Sequence, residues 1–273
     1  MKILRHLREL WQYRGLIHNL VVRDLKIRYK SSTLGIVWSW LNPLLMMIVY
    51  TILFTIILRR DDDIPYYHIF LLCGLLSWNF FNDSVFQATG SIVSNGHLIK
   101  KVYFPREVLP ISSVLSNLVN FLIALPVFFI LALFSGSPLT WWVLLLPITI
   151  LIQVIFTIGL TLLLTTLNVF FRDTQIVLGV IMLACFFLTP VFYQIQDVPQ
   201  QVTVLNVITF DAQLWLRRLN PMASIIASYR DLLYYGAPTG LDFLLRTAIT
   251  ALLVLIGGYL VFLRYSPRFG EEV

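Results

Sequence analysis

Six long apolar runs dominate this chain and decide what it can fold into. At about 1.5 Å per residue, such runs are long enough for helices that cross a hydrocarbon core of about 30 Å. Hydrophobic residues make up 58% of the chain and charged residues 12%, which excludes an ordinary soluble domain. The sequence therefore predicts an all-α polytopic membrane protein with a transmembrane domain over residues 34–263. We place its six spans at 34–58, 69–93, 108–134, 141–167, 176–193 and 243–263.

The positions of the lysines and arginines predict the orientation of these spans. Eight precede the first span, three lie in 95–107, one is Arg172, and Arg264 and Arg268 belong to the tail 264–273. These fourteen fall on one side of the membrane and the other six on the opposite side. Because loops rich in lysine and arginine stay in the cytoplasm, both termini are predicted to be cytoplasmic. The charges lie at span ends, which favours anionic lipid over nucleic acid as their partner.

Residues 1–33 precede the first span and have helical periodicity. Basic residues fall between apolar residues that recur every three or four positions: Ile3, Leu4, Leu7, Leu10, Trp11, Ile17, Leu20, Val21 and Leu25. This pattern predicts an amphipathic helix at the cytosolic membrane interface, with its apolar side towards lipid. A soluble helical cap packed on another subunit is the alternative.

A short basic and aromatic segment, 95–107, separates the second and third spans. It places cations among aromatic and proline side chains: Lys100, Lys101, Tyr103, Phe104, Pro105 and Arg106. We interpret it as a docking surface whose aromatic residues enter a groove on a soluble partner. An ordinary cytosolic loop is the alternative.

The predicted external segment, 194–242, contains a helix of its own. Asn220 is a suitable cap for a helix that begins at Pro221, and Gly236 is placed to end it. Met222, Ile225, Ile226, Tyr229, Leu232 and Leu233 form one apolar stripe between these limits. A re-entrant helical hairpin that forms an outer gate is the preferred interpretation, and a helix lying flat at the interface is the alternative.

Several spans carry polar stripes that simple anchors do not need. Asn79, Asp83 and Gln87 repeat every four residues in the second span, and Asn117 lies on the polar face of the third. An aspartate in mid-bilayer costs roughly 2.5–3.5 kcal/mol on insertion scales, which favours a functional position for Asp83. Hydrogen bonds between packed helices are the alternative, above all for serine and threonine.

Motifs that would indicate catalysis are absent from the sequence. There is neither a G-x-x-x-x-G-K-[ST] nor a G-x-G-x-x-G motif, so the chain is not expected to bind ATP by those routes. Its four histidines lack the spacing of metal ligands. The acidic run 61–63 contains D-x-D but falls on the predicted outer side, where a solvated turn is expected. We predict no catalytic residues, no metal site and no cofactor in this chain.

Five segments resemble a known family. They are RDLKIRYKSSTLGIVWSWLNP (23–43), LIKKVYFPREVLPIS (98–112), LNVFFRDT (167–174), TPVFY (189–193) and LNPM (219–222). Together they resemble the membrane subunit, or permease, of type-2 ABC exporters for O-antigen, capsule and teichoic acid. The resemblance implies a homodimer in the bacterial plasma membrane, with two copies of a separate ATPase subunit that binds ATP and magnesium. It also implies export of a glycan on an undecaprenyl-type lipid diphosphate.

The resemblance assigns roles to particular segments. It implies that the region from Lys100 to Glu107 is the ATPase-coupling element, and that the helix begun by Asn220 and Pro221, with Tyr229, belongs to the outer gate. The stretch 199–218 is longer than in the family, so the shape of the outer exit is not carried over.

The charged, polar and aromatic side chains also predict which residues contact the substrate. Arg23, Lys26, Arg28 and Lys30 lie near the head-group plane and suit the lipid diphosphate. We expect the translocation path to be lined by Trp38, Tyr50, Asn79, Asp83, Gln87 and Asn117. Export of a drug or small lipid is the runner-up function, and a membrane-embedded glycosyltransferase or polymerase is a third.

Overall fold

The computed structural model describes residues 11–30, 32–57, 64–204 and 208–273, with the backbone alone at 202–204, 208–210, 215, 217 and 219. Its helices are α1 (Arg14–Lys30), α2 (Trp38–Thr51), α3 (Tyr67–Ser94), α4 (Gly96–Lys101), α5 (Val108–Ser135), α6 (Leu146–Phe170), α7 (Thr174–Leu188), α8 (Ala212–Leu219), α9 (Pro221–Leu233), α10 (Leu241–Tyr265) and α11 (Phe269–Glu272). The apolar residues predicted at 3–10 and the acidic run 61–63 lie outside the described residues.

Five helical stretches in the described part of the chain are long and apolar enough to cross a membrane. The first is composite, because a 3₁₀ turn precedes α2 and a π-helical segment, Ile52–Ile57, follows it. The fifth predicted span, 176–193, corresponds to α7, which has only 15 residues. That length covers about 22 Å, less than a bilayer core, so a full fifth crossing stays a prediction.

The two ends of the bundle gather different parts of the chain. At one end Leu20 of α1, Phe104, Val169 and Phe269 share a buried apolar cluster. We call this the basic end, because it carries α1, the loop 95–107 and α11. At the far end, Tyr234 donates a hydrogen bond to the carbonyl oxygen of Pro65. The predicted grouping of the loops on two sides agrees with this arrangement.

The helix α3 forms the centre of the bundle. In the apolar window of α3, 78% of the residues are buried, against 11% in the stretch that contains α2. The helices α5 and α6 pack along α3, and α10 packs along α6. A Cβ atom added at Gly258 of α10 would clash with the carbonyl oxygen of Gly159 in α6. Glycine therefore lets these two helices approach closely, as is common in membranes.

The helix α1 packs along α5. Tyr13, Leu16, Ile17 and Leu20 contact the apolar cluster at the basic end. The described part of the apolar stripe that the sequence assigned to lipid therefore contacts helices of the same chain. Ile27 remains 67% exposed and is available to a membrane surface.

The segment between α7 and α9 is not purely helical. Strands β1 (Gln201–Val204) and β2 (Ile208–Asp211) pair antiparallel, with Gln201 opposite Asp211 and Val204 opposite Ile208. This hairpin lies within the stretch 199–218 that is longer than the family pattern. The all-α prediction holds for the membrane domain but misses these two short strands, whose sequences QVTV and ITFD contain consecutive β-branched residues.

Candidate functional site

A network of side-chain hydrogen bonds fixes α1 against α3 and α5. The guanidinium group of Arg28 donates to Oδ1 of Asn117 at 2.7 Å and to Oε1 of Gln87 at 3.3 Å. The amide of Asn117 in turn donates to Oε1 of Gln87 at 2.8 Å. Three residues predicted as functional, from three separate segments of the sequence, therefore meet at one point. The acceptors are neutral amides, while the carboxylate of Asp83 lines the same cavity and interacts electrostatically with Arg28.

A second group of polar contacts fixes the turn between α1 and α2. The hydroxyl groups of Tyr29 and Ser39 both donate to Oδ1 of Asn120 in α5, the latter at 2.7 Å. The indole of Trp40 donates to the carbonyl oxygen of Ile123 at 2.7 Å. These bonds position the beginning of α2, and with it Trp38, beside α5.

The two polar groups border a cavity of about 740 Å³ near the basic end. It is lined by Arg28, Tyr29, Trp38, Ser39, Asn42, Asp83, Phe86, Gln87 and Asn120. Asp83 is exposed on its wall. The sequence predicted a buried aspartate, but the cavity beside α3 leaves this carboxylate accessible.

Two smaller cavities continue along α2 and α3. One of about 50 Å³ adds Asn79 and Asn117 to residues shared with the large cavity, including Asn42 and Asp83. The other, of about 270 Å³, is lined by Asn79 together with Tyr50, Trp78 and Phe186. All six residues predicted for the path therefore border this row of cavities. Asn120 shares the predicted polar face of Asn117 in the third span, whereas Asn42 was not singled out from the sequence.

Amides, a carboxylate and aromatic rings give the cavities a distinct chemistry. Asparagine and glutamine both donate and accept hydrogen bonds, and the carboxylate of Asp83 accepts them. The rings of Trp38, Tyr50 and Phe86 supply flat apolar faces beside these groups. The arrangement suits a ligand with many hydroxyl groups and apolar ring faces.

The four residues predicted for a lipid diphosphate do not form one cluster. Arg23 makes a salt bridge of 2.9 Å with Asp24 and donates to Oδ1 of Asn95 at 3.1 Å, so it connects α1 to the loop 95–107. Lys26 and Lys30 are exposed one turn apart. Only Arg28 reaches the large cavity. The spacing of these four residues along α1 did not predict that only Arg28 would line the cavity.

The two aromatic residues of the loop 95–107 lie in different environments. Tyr103 is 96% exposed, whereas Phe104 is 6% exposed within the apolar cluster at the basic end. Lys100 and Lys101 are exposed at the end of α4, Pro105 and Arg106 are partly buried, and Glu107 is buried. The expectation that both aromatics are available to a partner therefore holds for Tyr103, while Phe104 anchors the loop.

A contact that the sequence did not reveal supports this loop from the other end of the chain. Phe269 of α11 is fully buried and packs edge-on against Phe170 and Phe262. Val273 lies so close to Gly96, the first residue of α4, that a Cβ atom at Gly96 would clash with it. The segment after α10 therefore packs against α4 and supports its position.

The helix α9 begins as predicted and is held inside the bundle. Oδ1 of Asn220 accepts hydrogen bonds from the backbone N–H groups of Met222 and Ala223, and Pro221 is the first helical residue. The helix ends at Leu233, and Gly236 follows in the left-handed conformation with φ of 62°. Tyr229 donates to Oε1 of Gln153 in α6 at 2.7 Å.

A buried arginine fixes α9 to the residues after α7. The guanidinium group of Arg230 donates to the carbonyl oxygens of Pro190, at 2.6 Å, and of Val191, and lies 3.5 Å above the ring of Phe70. The charge count placed Arg230 only on the outer side. Arg230 directly follows Tyr229 of the apolar stripe in α9, and this was the sequence feature that could have indicated a buried arginine.

Comparison with known proteins shows which family and which individual proteins this chain is similar to. Residues 16–234 match the family described as ABC-2 type transporter. The O-antigen export system permease protein RfbA of Myxococcus xanthus is 37% identical over 271 residues, which cover 99% of this chain and 100% of that protein. RfbA of Klebsiella pneumoniae is 34% identical, with 94% and 96% covered. The polysialic acid transport protein KpsM of Escherichia coli is 22% identical, with 89% and 92% covered.

Proposed function

Because this chain belongs to the ABC-2 type transporter family, we propose that it is the transmembrane subunit of a polysaccharide exporter. The substrate is a lipid-linked glycan of the O-antigen, capsule or teichoic-acid type, carried from the cytoplasmic to the outer side of a bacterial plasma membrane. The working assembly is a homodimer with two copies of a separate ATPase subunit, which binds ATP and magnesium. The names of the relatives, O-antigen export permease and polysialic acid transport protein, support this substrate class.

The row of cavities along α2 and α3 is the observation that carries this proposal. A sugar offers hydroxyl groups at its ring edge and apolar C–H groups at its faces. Asn42, Asn79 and Asp83 provide partners for the hydroxyl groups, and Trp38 provides a ring face. A transporter of drugs or small lipids would bury its cargo against mainly apolar walls. The concentration of amide groups at this site favours the polysaccharide over that runner-up.

The basic end provides a place for the lipid diphosphate. The charge count assigns this end to the cytoplasm. Arg28 lies where the large cavity meets α1, with amide oxygens as its hydrogen-bond acceptors. Five N–H groups and a permanent charge let a guanidinium group bind phosphate oxygens in pairs. Lys26 and Lys30, which are exposed, attract the anionic head group from the membrane surface.

The surface around α4 receives the ATPase subunit. Tyr103, Lys100 and Lys101 are exposed together beyond the apolar cluster. The buried side chain of Phe104 links this surface to α1, α5 and α10 through that cluster. A displacement of α4 by the partner is therefore passed to α1, which borders the cavity.

The helix α9 closes the far end. Its polar contacts to Gln153 and to the carbonyl oxygens of Pro190 and Val191 hold it among α3, α6 and α10. Backbone that enters a membrane must have its hydrogen bonds satisfied by protein or water. Oδ1 of Asn220 satisfies two backbone N–H groups at the beginning of α9, and ten of the thirteen residues of this helix are buried, which supports the re-entrant gate over a helix that lies flat.

Reconstitution tests the proposed function. Proteoliposomes that contain the chain and its ATPase are given glycan on an undecaprenyl diphosphate, and transfer across the bilayer is followed by protection from a glycosidase. We expect ATP-dependent transfer of the lipid-linked glycan and none of the deglycosylated lipid or of a hydrophobic dye. Transfer of the dye without transfer of the glycan would favour a small-molecule exporter instead.

A further inference from the structure

A separate small cavity near the far end is lined by two arginines from different helices. It has a volume of about 160 Å³ and is lined by Arg218, Pro221, Ser224, Arg246, Thr247 and Thr250. Arg218 belongs to α8, next to the beginning of α9, and Arg246 belongs to α10. The volume is several times the roughly 30 Å³ that one water molecule occupies in the liquid. This cavity shares no lining residue with the three cavities along α2 and α3.

The hydrogen-bond donors that this cavity can offer are mainly the two guanidinium groups. The hydroxyl of Thr247 donates to the carbonyl oxygen of Phe243 at 2.9 Å, and that of Thr250 donates to the carbonyl oxygen of Arg246 at 3.0 Å. Their single hydrogens are therefore used within α10. Each guanidinium group carries five N–H donors and a permanent positive charge. The cavity is electropositive and rich in donors.

Neither arginine has an acidic partner in the part of the chain that the structure describes. Asp242 lies one turn before Arg246, yet no ion pair within 4.0 Å joins Arg218 or Arg246 to a carboxylate among the described residues. Arg246 makes a weak cation–π contact, with its guanidinium carbon 5.5 Å from the ring of Phe243. Two exposed guanidinium groups thus face one cavity, with no carboxylate within 4.0 Å among the described residues, an arrangement that an anion would stabilise.

The position of the cavity suggests the class of anion. Arg246 is the sixth residue of α10 and Thr250 the tenth, so the cavity extends from about 7 to 13 Å along that helix from its far end. This depth corresponds to the head-group region and the outermost acyl region of a bilayer. An arginine there can also extend its charge to water, which is the simple alternative. That alternative explains one arginine but not the convergence of two from separate helices.

We propose that Arg218 and Arg246 bind the phosphate group of a lipid at the outer leaflet. Bidentate pairing of arginine with phosphate oxygens supplies the recognition. Because Arg218 adjoins α9 and Arg246 belongs to α10, the bound phosphate connects the gate helix to the last span. The phosphate belongs either to an anionic phospholipid of the surrounding membrane or to the diphosphate of the exported carrier, and the second source rests on the proposed function.

Binding by the full chain, purified in a zwitterionic detergent without the ATPase, tests this site. The probes are short-chain phosphatidylglycerol, undecaprenyl diphosphate and inorganic pyrophosphate, and the readouts are native mass spectrometry and melting temperature. We expect R218Q/R246Q to weaken the binding of at least one probe by about tenfold or more. R264Q is the matched control, because Arg264 is an exposed arginine at the opposite end of α10.

The three probes distinguish the sources of the phosphate. Loss confined to undecaprenyl diphosphate identifies the exported carrier as the occupant, and loss for phosphatidylglycerol identifies a membrane phospholipid. Loss for all three probes identifies a general phosphate site. Equal affinities of the wild type and R218Q/R246Q for every probe, or the same loss in R264Q, would overturn the proposal.

The test can be carried out even if the double variant does not fold, and its result does not depend on the export function. If R218Q/R246Q does not fold, the single variants R218Q and R246Q carry the test, and unchanged affinity in both overturns the proposal. The assay uses neither glycan nor ATP. A failure of the export function therefore leaves its result intact, and a failure of this site leaves the export function standing.

Discussion

A guanidinium nitrogen of Arg28 in α1 lies 2.7 Å from Oδ1 of Asn117 in α5. The two residues are 89 positions apart in the chain; Arg28 lines the large cavity, and Asn117 lines the small cavity next to it. Because the acceptor is a neutral amide, the hydrogen bond holds the guanidinium group in place without cancelling its charge. Arg28 can therefore position α1 and attract an anion to the mouth of the cavity at the same time.

The first prediction concerns this charge. Arg28→Gln should lower export of lipid-linked glycan by at least about tenfold, because a hydrogen bond to a charged group contributes roughly 1.5–3 kcal/mol. Arg14→Gln is the control, since Arg14 is an exposed arginine of α1 that lines none of the cavities along α2 and α3. Its effect should stay within a few fold. Transport by the two variants in proteoliposomes makes the comparison, and equal rates would remove Arg28 from substrate capture.

The second prediction separates the two aromatic residues of the loop 95–107. Tyr103→Ala should leave the melting temperature nearly unchanged, since an exposed side chain usually contributes less than about 0.5 kcal/mol, but should reduce stimulation of the ATPase by substrate. Phe104→Ala should destabilise the chain by about 3–5 kcal/mol through the cavity it leaves. Detergent melting and ATP hydrolysis are measured on both. Normal stimulation in the Tyr103 variant would refute the docking role of that residue.

These two predictions show where the sequence is informative. Apolar runs and the helix cap formed by Asn220 and Pro221 follow from local chemistry, so the positions of most helices and the beginning of α9 were predictable. Tyr103 and Phe104 are adjacent aromatics, and the burial of Phe104 depends on the apolar cluster at the basic end, to which Phe262 and Phe269 belong. Those partners lie more than 150 positions away, beyond any local pattern.

The same reasoning applies to what the sequence did not reveal at the candidate site. The polar stripe of Asn79, Asp83 and Gln87 was visible from its helical period, and these residues do line the cavities. Asn120 was visible on the polar face of Asn117, whereas Asn42 was not singled out, and the two line one cavity only after α2 packs beside α5. The residues that follow the short α7 accept hydrogen bonds from Arg230 of α9, about 40 positions away. The hairpin of β1 and β2 lies in the stretch 199–218, for which the family pattern gives no guide.

The third prediction concerns Asp83. Because its carboxylate is exposed to the cavity, Asp83→Leu should leave the melting temperature of the folded chain within a few degrees of the wild type. Export should fall more in Asp83→Leu than in Asp83→Asn, since asparagine keeps the size and the hydrogen-bonding capacity. Both properties are measured on the same preparations. A large loss of stability with normal export per folded complex would instead assign Asp83 to helix packing.

The fourth prediction concerns Arg230 and the gate helix. Arg230→Met keeps much of the side-chain volume but removes the donors to Pro190 and Val191. Each buried carbonyl group left without a partner costs about 1–3 kcal/mol, so the melting temperature should fall. Arg264→Met, at an exposed position, should not change it. An unchanged melting temperature in Arg230→Met would show that water replaces the arginine at low cost.

Obstruction of the cavity tests most directly whether it is the glycan path. Asn42→Cys is placed in a chain whose two native cysteines, Cys73 and Cys185, are replaced by serine. A bulky maleimide is then coupled to it. Leu253→Cys, on the exposed face of α10, receives the same label as a control. We predict that complete labelling at position 42 stops ATP-dependent transfer of the lipid-linked glycan, while labelling at position 253 leaves it unchanged. Normal transfer with position 42 fully labelled would contradict the account.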